Sequence, residues 1–91
     1  MVLAHSGCGT VKATIQGKDV PGQISSLLSY IRPAVDQAGP NLEAASKANA
    51  KIQAGLLRQA STVISTMVKE TKLKVVAGYC DLATGVISLL A

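Results

Sequence analysis

One short stretch of this sequence holds the residue types and spacing for chemistry: His5-Ser6-Gly7-Cys8-Gly9. Imidazole and thiolate are good zinc ligands, and a turn of three residues can aim both at one ion. Cys8 also falls where a helix should begin. The partial positive charge of a helix N-terminus favours thiolate, the form of cysteine that ligates metal. Other readings of the same turn stay open. Its backbone N–H groups could hold an anion, although the Gly-Lys-Ser/Thr ending of a phosphate loop is missing. It could also be a plain strand-end turn with a small buried cysteine. Two ligands fall short of the four that zinc sites nearly always have. The carboxylates offer no second constellation. Asp36 and Glu43 read as solvated or helix-capping, and Asp81 as a turn residue. Cys80 reads as a core thiol.

The elements that must position the turn follow from apolar spacing. Residues 1–4, Met-Val-Leu-Ala, read as the end of a buried strand. A helix is expected over about 9–17, with Val11 and Ile15 on one face and Gly17 as its stop. Pro21-Gly22 opens the next element. Ile24, Leu27, Leu28 and Ile31 carry a helical period, which Pro33 should end. Asn41 is a good N-cap for a long helix over about 41–59, with Glu43 in its first turn. Ser61-Thr62 offers a fresh cap for a second helix over about 61–70. Leu73 to Cys80 lacks polar alternation and reads as a strand buried on both faces. Residues 81–85 have turn chemistry, and Val86 to Leu90 complete a hairpin. The expected fold is therefore α/β. It has about three strands, two parallel and one antiparallel at the edge, with several helices beside them. The His5–Cys8 turn then lies at the carboxyl end of a parallel strand, where open α/β sheets place ligand sites. The first strand is left with an open edge, a template for pairing with another chain.

Composition sets the outer limits. The chain has 91 residues, a net charge of +4, 48% apolar residues and 15% charged ones. The length suits one small domain. The apolar share is too high for a disordered chain and generous for a soluble monomer, so homo-oligomerisation is expected. The cations are scattered; the densest group is Lys69, Lys72 and Lys74, diluted by Glu70. With no Trp, no Phe and only Tyr30 and Tyr79, a stacking platform for single-stranded nucleic acid is missing. No apolar run reaches the roughly 18–20 residues of a membrane span, and the first residues lack the pattern of a secretory signal. A cytoplasmic protein that binds neither nucleic acid nor membrane is expected.

The residues around the turn add a further reading. Val2-Leu3-Ala4-His5-Ser6-Gly7-Cys8-Gly9-Thr10-Val11-Lys12-Ala13 resembles the zinc-binding segment of the β-class carbonic anhydrases, a buried strand followed by His-Ser-x-Cys-Gly and a helix. Ile31-Arg32-Pro33-Ala34-Val35 is similar to the exit of that family's middle helix. Lys72 to Tyr79, with Asp81 to Val86, is similar to its last parallel strand and closing hairpin. The resemblance covers the second half of the family domain, residues 1–91 forming a single partial domain. The family's earlier Cys-x-Asp-x-Arg motif, source of another cysteine ligand and an Asp–Arg pair, has no counterpart.

The resemblance implies a zinc cofactor held in part by His5 and Cys8. It also implies reversible hydration of carbon dioxide to bicarbonate, for which zinc makes a water acidic near pH ~7. Lacking the first cysteine and the Asp–Arg pair, this chain alone is expected to be a weak catalyst or none. Three outcomes are open: a carbonic anhydrase-type enzyme, either as a truncated form or completed by another chain; a non-catalytic self-associating fragment; or two chains sharing a closed structural zinc.

Overall fold

The structure, a computed structural model, describes residues 1–17 and 24–90, with backbone alone for 24–27. The opening of the second helix at Pro21-Gly22 lies outside the described residues. Strand β1 (Val2–His5) is followed by α1 (Gly9–Gln16), α2 (Ile24–Ala38), α3 (Leu42–Ala60) and α4 (Thr62–Lys69), then by β2 (Ala77–Asp81) and β3 (Val86–Leu90). The sheet runs in the order β1-β2-β3. β1 and β2 are parallel, with His5 in register with Cys80; β2 and β3 are antiparallel. This is the expected α/β architecture.

Local chemistry explains most helix ends. Gly17 takes a left-handed φ of 66°, and its N–H closes α1 onto the carbonyls of Ala13 and Thr14. The Asn41 side chain accepts a 2.8 Å bond from the Ala44 N–H and starts α3. Between α3 and α4 the chain turns extended at Ser61, although the Ser61 hydroxyl makes no cap bond. The hairpin between β2 and β3 turns on Asp81, whose Oδ1 accepts from the Ala83 N–H at 3.0 Å, and on Gly85 at a φ of 73°.

Three expectations need correction. Pro33 does not end its helix, because α2 runs on to Ala38. Pro33 removes one helical bond, but beyond it Ala34 is fully buried and Val35 and Ala38 pack on a core of Val11, Ile31 and Ala45. That burial outweighs the lost bond. The second parallel strand starts at Ala77, not Leu73. Pairing with both neighbours begins at Ala77, opposite Val2 and Leu90; before it, the Val76 carbonyl accepts from the Val2 N–H at 2.8 Å and the Val75 carbonyl from Arg58 Nη2 at 2.7 Å. Finally, β1 is not the buried strand expected. Val2 and Ala4 are half-buried while Leu3 and His5 are exposed.

That alternation reflects an asymmetric sheet. α3 lies across β1 and β2, and the core beneath it is small: Ala50, Ala54, Val75 and Ala77, joined by Val2, Ala4, Ile64, Val68 and Leu90. Short alanine side chains let the helix approach closely. The other face carries Leu3, Gly78, Ile87 and Leu89, placed together by the register. There Leu3 is 49%, Ile87 54% and Leu89 69% exposed.

Candidate metal centre

The turn after β1 is held from both sides. The Ser6 N–H donates to the Cys80 carbonyl at 2.9 Å, which extends the parallel ladder by one rung. The Ser6 hydroxyl accepts from the Leu82 N–H, also at 2.9 Å, and ties the turn to the hairpin. Gly7 turns the chain at a φ of 66°, a conformation that costs glycine little. Cys8 then occupies the N-cap of α1. Its carbonyl accepts from the Lys12 N–H, and its side chain makes no cap bond, which leaves the sulfur for other work.

His5 Nδ1 lies 2.8 Å from the Ser6 carbonyl oxygen. A carbonyl can only accept, so Nδ1 carries the hydrogen in the neutral ring and Nε2 keeps its lone pair. Metal-binding histidines are commonly oriented in this way by the nitrogen that does not ligate. His5 is exposed and Cys8 half-buried, with the thiol free. Both line one cavity of about 230 Å³, together with Leu3, Ala4, Val11, Ser46 and Asn49. The structure therefore brings the two predicted ligands to one small space at the carboxyl end of a parallel strand.

α3 contributes two residues to this cavity that sequence reasoning missed. Ser46 is 2% exposed, and its hydroxyl has no hydrogen-bond partner among the described residues. Leaving a buried hydroxyl unpaired costs about 1–3 kcal/mol. Asn49, one turn on, has its Oδ1 3.3 Å from Gln53 Nε2, which donates to it. The available signal was a pair of polar residues, Ser46 and Asn49, on the alanine-rich stripe that the long helix turns inward.

The donors fit a zinc ion in kind but not in number. The described residues hold no group of three or more His, Cys, Asp or Glu side chains able to share an ion. Cys80 stands in register with His5 on the neighbouring strand and is half-buried, not the core thiol expected. No helix among the described residues is long and apolar enough to cross a membrane.

The sequence matches the carbonic anhydrase family over residues 1–87. No curated protein matches it significantly. Among solved structures it is similar to a cysteine-to-alanine variant of the β-carbonic anhydrase CafD from the filamentous fungus Aspergillus fumigatus. The identity is 20% and the TM-score 0.70, over 98% of this chain and 54% of that one. The chain thus spans about half the length of that relative, and at this identity the likeness establishes the fold.

Proposed function

Starting from a chain that belongs to the carbonic anhydrase family, we propose that His5 and Cys8 form a zinc half-site. In this reading the family's hydration of carbon dioxide to bicarbonate is weak or lacking until further donors come from another chain. The observation that carries it is the shared cavity, with His5 Nε2 left available by the bond from Nδ1 to the Ser6 carbonyl. When bound, zinc supplies acidification of a water. The chain's own residues supply orientation. Ser6 holds the turn on the sheet and the imidazole in one tautomer. Ser46 presents an unpaired hydroxyl, and Leu3, Ala4 and Val11 keep part of the wall apolar. Two ligands are too few to hold the ion firmly, so the half-site needs donors from outside this chain before it can work on carbon dioxide.

Zinc stoichiometry measured together with native mass tests the proposal. The expected result is weak zinc uptake that Cys8→Ser or His5→Ala abolishes, with carbon dioxide hydration near the buffer rate. Zinc retained undiminished by both variants would remove His5 and Cys8 from the reading. Brisk hydration by the isolated chain would overturn the need for a completing chain.

A second reading is favoured by the surface. The chain exposes 5985 Å², against about 5000 Å² expected for a folded monomer of its mass. A homo-oligomer would cover that excess. Two copies that each bring His5 and Cys8 would make a closed, structural Cys₂His₂ site across a two-fold axis. One zinc per two chains in a dimer supports this reading, and one per chain counts against it.

A further inference from the structure

Away from the His5–Cys8 turn, two cavities lie side by side where α3 ends and β2 begins. Each is about 360 Å³. Lys51, Ala54, Arg58, Lys74, Ala77 and Leu90 are among the residues lining the first. The second is lined by Arg58, Val68, Thr71, Leu73, Lys74 and Val75. Arg58 and Lys74 border both, so they form a cationic ridge between two largely apolar hollows. Neither lining includes an Asp or Glu. Three cations gathered without a counter-charge repel one another, which favours an anionic occupant. The Arg58 guanidinium is also held in place, since Nη2 donates to the Val75 carbonyl at 2.7 Å. The rest of its planar fork can meet a carboxylate.

We propose that this surface binds a short acidic linear segment of another polypeptide. One apolar side chain enters each hollow, and the carboxylates between them pair with Arg58, Lys74 and Lys51. Clustered cations with a fixed guanidinium are a recurring means of recognising acidic motifs. Charge decides the type of partner. A second copy of this chain brings a net +4. Three of its five acids already have partners: Glu43 with Lys47 at 3.0 Å, Glu70 with Lys72 at 3.4 Å, and Asp81 in its own turn. A nucleic acid would look for stacking surfaces, and neither cavity is lined by an aromatic ring.

The test is fluorescence anisotropy on the full chain with two dye-labelled, end-capped peptides, Gly-Leu-Glu-Glu-Leu-Gly and Gly-Leu-Gln-Gln-Leu-Gly. The Glu peptide is expected to bind at least about tenfold more tightly. Raising NaCl from about 20 to about 200 mM should weaken it several-fold. The double variant Lys51→Gln/Lys74→Gln should remove about tenfold of that affinity at an unchanged melting temperature, whereas Ile87→Ser, on the opposite sheet face, should leave it intact. Equal binding of the two peptides, no saturable binding of the Glu peptide, or indifference to the double variant overturns the proposal. So does tighter binding of a labelled twelve-nucleotide single strand, or a dimer in sedimentation that the double variant dissociates.

Discussion

The two faces of the sheet draw on similar apolar residues and are treated in opposite ways. On the helix side, Ala4 and Ala77 meet Ala50 and Ala54 of α3, and the contact is closed. On the other side, Leu3, Ile87 and Leu89 are larger yet remain about half or more exposed. Size rather than hydropathy separates them. Small side chains let a helix sit on the sheet with few voids, because interiors are packed as densely as organic crystals. Large ones need a partner of matching shape, and no described helix provides it. Part of the apolar excess seen in the composition therefore lies on this face and on β3, where Val86 to Leu89 are all exposed, and part lies on the helices, at Leu56, Leu57 and Val63.

Substitutions on the two faces should break or sharpen this contrast. The largest effect belongs to Ala54, which is 1% exposed. Ala54→Trp would drive a large ring into the closed contact at a cost of about 3 kcal/mol, so the circular-dichroism melt should fall well below that of the parent. Ala54→Leu overpacks the same contact and should cost about 1–3 kcal/mol in urea unfolding. A neutral result would mean that α3 stands further from the sheet than described. Gly78→Ala probes the open face. An added Cβ would meet the mobile ends of Met1 and Leu3, at 3.0 and 3.3 Å from Sδ and Cδ1. The relief of strand-glycine entropy, about 0.5–1 kcal/mol, should roughly offset the displacement, so stability should shift by less than about 0.5 kcal/mol. Smallest for the monomer is Leu89→Ser, expected within about 0.5 kcal/mol of the parent. Its expected effect is a lower native mass at tens of micromolar, if this face holds copies together. A large loss of monomer stability would show that the face is covered after all.

A similar contrast separates the two ends of the sheet. At the carboxyl end, the His5–Cys8 turn was legible because its parts are contiguous. Gly7 turns the chain, Cys8 starts a helix, and both ligands lie within four residues. At the amino end, Lys51 and Arg58 stand two turns apart on α3 while Lys74 comes from the segment before β2, and in the sequence they read as scattered surface charge. Only the packing of α3 on β2 gathers them around one cavity. The densest sequence cluster, Lys69, Lys72 and Lys74, was a poorer guide, since Lys72 is paired with Glu70.

By itself, the sequence determined what depends on near neighbours. The Asn41 cap, the glycine stop at Gly17, the helical period of α3, the Asp81–Gly85 turn and the placement of a histidine and a cysteine after a strand all rest on interactions within a turn or two. The tertiary structure decided what depends on distant partners. α2 continues through Pro33 because Ala34 and Val35 find a core. β2 begins at Ala77 because its pairing with Val2 and with Leu90 begins there, and Ser46 shares a cavity with His5 and Cys8 because α3 crosses the first strand. Local preferences are worth about 1 kcal/mol or less for most residues and about 3 kcal/mol for a proline within a helix, and at Pro33 burial across elements outweighs even that.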